Sequence, residues 1–346
     1  MRQFGFDIAG TGFTYEAGDA LGVWARNCPD LVSEICGVLG LSSDAPVSLN
    51  KAGDMPLSQA LTDHLDITGL TRGFLTTLAR QSPDADFAPL LDPARKPDLD
   101  RWLWGRQVAD VLHDTRPALE AQDLVGLLRP MQPRLYSISS SPRAESGEVQ
   151  LTVSVLRYAC DGRARKGLAS AFLADRCDGT DVRIFPQPSA HFHPPEDGAR
   201  DIIMVGPGTG IAPFRGFLHD RRASGATGRN WLVFGEQHAA SDFYYRDELQ
   251  AWRDSGHLTR LDLAFSRDQA EKVYVQTRIE EQGAELWNWL QGGAAFYVCG
   301  DASRMARDVD MALKRVIARH GDMTPDEASV YVHRLQQEKR YGRDVY

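Results

Sequence analysis

The sequence predicts an α+β barrel plus an α/β domain: an antiparallel β-barrel with an inserted helical domain, followed by a doubly wound parallel sheet. Three observations predict it. Short apolar strands set between Gly- and Ser-rich turns open the chain and return after Pro130. The stretch between them reads as helical almost throughout. From Asp201 onward short apolar strands alternate with helical patterns, as in a sheet covered by helices on both faces. At 346 residues the chain has room for two domains or a little more. The divisions fall at 1–48 and 131–198 for the barrel, 49–130 for the insertion and 199–346 for the last domain.

In chain order, Phe4, Phe6 and Ile8 alternate as a strand before Gly10-Thr11-Gly12 turns the chain. Pro29 to Leu39 places Leu31, Val32, Ile35, Val38 and Leu39 on one helix face, with Pro29 suited to the first turn. The insertion shows helical spacing in Trp102, Leu103, Val108, Val111 and Leu112 and again in Leu119, Leu124, Leu127 and Leu128, punctuated by Pro83, Pro89, Pro93 and Pro97. Strands return at Leu135–Ile138, Val149–Val155 and Val182–Phe185. Pro186 to Asp197 is a proline-rich linker, and Ile202–Val205, Trp231–Phe234, Leu261–Ala264 and Phe296–Val298 are the strands of the last domain, each followed by a helix.

Hydrophobic residues at 42% and charged residues at 25% are ordinary globular usage, which excludes disordered, collagenous and disulfide-scaffold classes. A net charge of −8 disfavours a generic polyphosphate binder but allows a local basic pocket, so nucleic acid is not an expected partner. The longest wholly apolar run, Ala294 to Cys299, is far short of the roughly 20 residues a membrane helix needs. The start reads as a strand, not a signal peptide, and the cytoplasm is the default compartment. Five cysteines without a C-x-x-C pair suggest neither zinc nor disulfides. No metal is expected, and His191 and His193 read as surface residues.

Ile202–Val205 runs into Gly206-Pro207-Gly208-Thr209-Gly210, where glycines let backbone amides approach a pyrophosphate at the next helix N-terminus. A tight βα turn with no ligand gives the same pattern. Ser266, Arg267, Lys272, Tyr274 and Gln276 gather a hydroxyl, a guanidinium and an ammonium suited to a ribose 2′-phosphate; the alternative is a solvated loop in which Arg267 and Lys272 pair with Asp268 and Glu271. Glu236, 26 residues after Gly210, points the other way, toward a ribose 2′-hydroxyl; two cations outweigh one acid. Arg134-Leu135-Tyr136-Ser137 offers an aromatic face, a hydroxyl and a cation for a flavin and its diphosphate. Gly167-Leu168-Ala169-Ser170 opens a helix where small residues and a capping hydroxyl would accept the same diphosphate.

These motifs, with Lys272-Val273-Tyr274-Val275-Gln276, Cys299-Gly300-Asp301 and Arg343-Asp344-Val345-Tyr346, occur in an order that closely resembles the NADPH-sulfite reductase flavoprotein alpha-components of the diflavin reductase family. The resemblance covers essentially the whole chain. It implies a ferredoxin-reductase-like module: an FAD-binding barrel, a helical connecting domain and an NADP-binding domain. By the same resemblance FAD contacts Thr68, Arg134, Leu135, Tyr136, Ser137, Thr152, Val153, Ser154, Tyr158, Gly167, Leu168, Ala169, Ser170 and Tyr346. NADPH contacts Gly206, Gly208, Thr209, Gly210, Ser266, Arg267, Lys272, Val273, Tyr274, Val275, Gln276 and Asp308. The implied hydride-transfer group is Ser137, Cys299 and Asp344, none of them a nucleophile.

The implied activity is hydride transfer from NADPH to FAD, with electrons passing through a flavodoxin-like FMN partner to a haem-containing sulfite reductase subunit. FMN is not expected on this chain, and Met1 is expected to start inside the barrel. Two rivals are a stand-alone NADPH-flavodoxin or diaphorase-type reductase and a non-catalytic interaction subunit with the same fold.

Overall fold

Alternate residues along four strands bury on opposite faces of one parallel sheet, and this builds the back half of the protein. The computed structural model describes residues 1–50 and 52–346. Packing divides the chain into two units, the first comprising 1–22, 135–154 and 185–346, the second 23–134 and 155–184.

In the first unit, strands β1 (Arg2–Asp7), β2 (Ala20–Val23), β3 (Arg134–Ser137), β4 (Glu148–Val153) and β5 (Ile184–Gln187) supply the barrel pieces. β1 pairs antiparallel with β4, Arg2 opposite Val153, and β5, β2 and β3 form a sheet in that order. The chain then enters β6 (Ile202–Val205), β7 (Asn230–Glu236), β8 (Arg260–Phe265), β9 (Ala295–Gly300) and β10 (Tyr341–Val345), ordered β8-β7-β6-β9-β10. All the pairs in this sheet are parallel. Ile203, Val205, Trp231, Val233, Phe296 and Val298 face one core with helices α2 (Val275–Glu281), α3 (Met305–His320) and α4 (Pro325–Gln337). Ile202, Met204, Leu232, Phe234, Tyr297 and Cys299 face the other core with α1 (Ile211–Ala223), whose Phe214, Phe217 and Leu218 recur at helical spacing. Strands buried on both faces explain the near-continuous apolar runs. The order reverses at β6, between β7 and β9, and the crevice at the carboxyl ends of such strands is where doubly wound folds bind ligands.

The second unit has its own core, in which Leu31, Val32 and Ile35 of a helix at Pro29–Leu39 meet Phe74, Leu78, Val111, Leu112 and Leu124. That helix has the limits the sequence predicts. The insertion is less uniformly helical than predicted: it includes the hairpin Pro46–Leu49/Gly53–Pro56 and the strand pair Leu65–Asp66/Arg129–Pro130. Lys51, within the predicted helical stretch, lies outside the described residues. The predicted run from Trp102 to Leu112 splits into Lys96–Leu103 and Val108–Thr115, because Gln107 starts a new helix: its backbone N–H donates to Asp110 at 2.8 Å. Arg165 closes this unit, its guanidinium donating to Asp110 at 2.7 Å and Glu34 at 2.9 Å.

Candidate functional site

The fully buried β6 delivers the chain into Gly206-Pro207-Gly208, and a tight turn at Gly208–Gly210 leads directly into α1. Gly208 has φ +58°, in the left-handed region. A Cβ on Gly210 would lie 2.1 Å from the Cys299 carbonyl oxygen, so the turn is pressed against the end of β9 and only glycine fits. Among the described residues no side chain caps the N-terminus of α1; the Gly210 and Ile211 N–H groups donate back into the turn, which leaves the Gly208 and Thr209 amides for a ligand. A left-handed glycine, a close backbone approach and open amides together fit a pyrophosphate.

Beside this turn, β7 and β8 end in register, Glu236 opposite Phe265. The Ser266 N–H donates to the Glu236 carbonyl at 2.8 Å and the Arg267 N–H to the Gln237 carbonyl at 2.9 Å. A cleft of about 540 Å³ results, lined by Gly208, Ser266, Arg267, Lys272, Tyr274 and Gln276. Asp308 lines it as well, and so does Arg304, which the sequence reading missed; its only sequence signal is its place three residues past Asp301, whose carboxylate accepts from the Arg304 N–H at 2.8 Å. Among the described residues neither Arg267 nor Lys272 is in an ion pair, and Asp268 pairs with His238 at 2.9 Å instead. The solvated-pair alternative for this loop is therefore not what forms. Val275 is buried in the core and Val273 packs against it, so these two anchor the loop, and Tyr274 is largely exposed.

The ends of β3, β9 and β10 bring three predicted residues together. Parallel pairing sets Cys299 opposite Asp344. The Ser137 hydroxyl donates to Asp344 Oδ2 at 2.5 Å, and the Cys299 thiol donates to the same oxygen at 3.6 Å. Cys299 is fully buried, and burial, then the Asp344 charge, pushes its thiol pKa well up. It remains a neutral S–H donor and has no thiolate character. Tyr346 is held by its backbone, its N–H donating to the Gly300 carbonyl at 3.1 Å, while its hydroxyl meets Thr209 Oγ1 at 2.7 Å and the residue as a whole is 62% exposed. A frayed end has no such bonds.

Of the other flavin candidates in this unit, Thr152 and Val153 are buried, and the Thr152 hydroxyl bonds the Tyr245 hydroxyl, so only Ser154 of the three presents its side chain outward. Leu135 is exposed, and Tyr136 is half-buried.

The second unit carries the rest. Thr68 donates its hydroxyl and its N–H to Asp66 Oδ1, at 2.8 and 2.9 Å, and the Arg129 and Arg134 guanidinium groups reach Oδ2 at 2.8 and 3.1 Å. Burial alone would raise the Asp66 carboxyl; the Thr68 hydrogen bonds and then Arg129 outweigh it and bring its pKa down to about 2. The Tyr158 hydroxyl accepts from Gln107 at 3.3 Å, and burial raises its pKa. Gly167 precedes the helix Leu168–Arg176, which no side chain caps among the described residues. Leu168, Ala169 and Ser170 are buried, and Ser170 Oγ accepts from the Leu156 N–H at 3.2 Å and does not cap the helix as predicted. A cleft of about 260 Å³ opens here, lined by Thr68, Gln107, Lys166, Gly167 and Leu168. Open amides at a glycine-led helix start, with Lys166 beside them, fit a diphosphate.

No group of three or more metal-ligating side chains occurs among the described residues. His193 is half-buried, its ring nitrogens 3.0 and 2.7 Å from the carbonyls of Ala17 and Ser189, so it braces the linker and is not the surface residue predicted.

Residues 3–172 match the FAD binding domain family and residues 204–311 the oxidoreductase NAD-binding domain family. The sulfite reductase [NADPH] flavoprotein alpha-component of Mannheimia succiniciproducens is 49% identical over the whole of this chain, that of Yersinia pestis 48% and that of Yersinia enterocolitica 47%. Over its whole length the chain is similar to these sulfite reductase flavoprotein alpha-components. It spans 57–58% of the length of these relatives. The match joins an FAD-binding domain to an NAD-binding domain in one chain, as the motif order predicts, and no helix among the described residues is long and apolar enough to cross a membrane.

Proposed function

We propose that this chain takes hydride from NADPH onto FAD and passes electrons through an FMN-bearing, flavodoxin-like partner to a haem-containing sulfite reductase subunit, in the cytoplasm. The observation that carries the reading is the single Asp344 oxygen that receives both the Ser137 hydroxyl and the Cys299 thiol, beside a glycine turn shaped for a pyrophosphate. When bound, FAD supplies a two-electron acceptor able to release electrons singly.

The chain's own residues do the rest. Amides of Gly208 and Thr209 take the dinucleotide pyrophosphate, with Gly206 and Gly210, whose own N–H groups donate to the Val233 and Pro207 carbonyls, letting the turn close tightly; Ser266, Arg267, Lys272, Tyr274 and Gln276 take its 2′-phosphate, with Val273 and Val275 fixing their loop and Asp308 closing the cleft. The Asp344 carboxylate offsets the positive charge that develops on the nicotinamide, while the Ser137 and Cys299 donors hold that carboxylate in place. The proposed FAD contacts are Thr68, Arg134, Leu135, Tyr136, Ser137, Thr152, Val153, Ser154, Tyr158, Gly167 to Ser170 and Tyr346. The Tyr346 ring, tethered through its hydroxyl to Thr209 and its N–H to the Gly300 carbonyl, would stack on the flavin and would have to give way to the nicotinamide.

The test is anaerobic. The purified chain should show a flavin absorbance band that NADPH bleaches. A folded chain that binds NADPH yet leaves added FAD oxidised would contradict the reading and favour the non-catalytic alternative.

A further inference from the structure

Of the three carboxylates that line the dinucleotide cleft, Glu236, Asp301 and Asp308, Glu236 is the one at the end of a sheet strand next to Ser266. Glu236 ends β7, lines the cleft with Ser266, Arg267 and Lys272, and places Oε1 3.6 Å from where a Cβ on Gly208 would stand. Its carboxylate is therefore turned toward the pyrophosphate turn. It is also fixed: Tyr244 Oη donates to Oε1 at 3.0 Å and the Gln237 N–H to Oε2 at 2.8 Å. Each oxygen accepts one of these bonds and keeps a further acceptor site. Arg267 and Lys272 are exposed and unpaired among the described residues, so they do not neutralise it.

We propose that Glu236 is a specificity-determining residue: its carboxylate accepts a hydrogen bond from the adenosine ribose 2′-hydroxyl of an unphosphorylated dinucleotide, so this cleft takes NADH alongside NADPH. The inference rests on the reading of the cleft as a dinucleotide site. A held carboxylate serves a hydroxyl donor at little reorganisation, and it opposes a phosphate in the same place by like charge. Two exposed cations draw the phosphate in, and the held Glu236 carboxylate limits how tightly it is kept. The site discriminates by a difference of these terms.

The experiment is an equilibrium titration of the 346-residue chain with NAD⁺, NADP⁺ and 2′,5′-ADP, comparing the unmodified protein with Glu236→Gln and Tyr244→Phe. The unmodified chain should bind NAD⁺ measurably. Glu236→Gln should weaken NAD⁺ by about tenfold, the loss of one charge-assisted hydrogen bond, and tighten both NADP⁺ and 2′,5′-ADP. Tyr244→Phe, which frees Oε1, should move the preference the same way by less. Retained 2′,5′-ADP binding shows that each variant is folded. If NADP⁺ binds and its preference over NAD⁺ is the same in all three proteins, the role of Glu236 is refuted and the NADPH reading survives. If the unmodified chain binds none of the three ligands, both fall together.

Discussion

Asp344 Oδ2 carries two donors, and each answers to a different part of the chain: Ser137 comes from the barrel strand and Cys299 from the neighbouring parallel strand. Cys299 was legible only through its place before Gly300-Asp301, since a small buried residue at a strand end is ordinary by composition. Glu236 was legible by its spacing from the glycine turn, whereas Arg304 was not, because its place three residues past Asp301 is the only sign that separates it from a solvated arginine. Ser170 was misread at the level of its hydroxyl: small polar residues at a helix start cap it often, but here the Leu156 N–H claims that oxygen. Two outcomes belong to single residues. Replacing Arg267 by Ala should weaken NADPH by about 1.5–3 kcal/mol and NADH hardly at all, read from titrations with both dinucleotides. Replacing Tyr346 by Ala should raise NADH use more than NADPH use in steady-state kinetics, because a ring that must be displaced taxes most the dinucleotide without 2′-phosphate contacts.

The glycine turn is an element whose geometry leaves no room for a side chain. Gly210→Ala would drive a methyl group into the Cys299 carbonyl, so thermal unfolding should show a loss of about 1–3 kcal/mol together with weakened NADP⁺ binding. The elements with strong periodicity were the ones the sequence located, as in the helix Pro29–Leu39 and the buried strand Ile202–Val205. β10 was missed as a strand, because Tyr341-Gly342-Arg343-Asp344-Val345 has neither alternation nor a continuous apolar run; pairing with β9 makes it one. The hairpin Arg157–Cys160/Arg163–Lys166 was missed for the same reason. Asp66 ties Thr68, Arg129 and Arg134 into one element cluster, and its pKa of about 2 sets a pH dependence. A carboxyl depressed on folding adds stability above its unfolded pKa, near 3.9, and that contribution disappears as pH falls through about 2. Asp66→Asn should therefore cost about 2–3 kcal/mol at neutral pH and flatten the loss of stability between about pH 4 and pH 2, measured by denaturant melts across that range.

Across the whole molecule, the order of textures in the sequence, strands, helices, strands, then alternating strands and helices, was enough to set out the architecture, because each texture buries its apolar face in a different way. What it could not set out was the division into units: contact packing groups the barrel strands β1 and β4 with the parallel sheet, and packs residues 155–184 with the helical insertion. Long-range packing of this kind has no periodic trace. In the proposed function Asp344 organises hydride transfer between the two nucleotides. Single-turnover anaerobic mixing of NADPH with the FAD-loaded chain tests it, in the unmodified protein and in Asp344→Ala. The account predicts that the variant keeps its flavin band and its NADP⁺ affinity while flavin reduction slows by roughly 10²–10³, the usual consequence of removing one pre-placed electrostatic partner. Flavin reduction at the unmodified rate in that variant would contradict it.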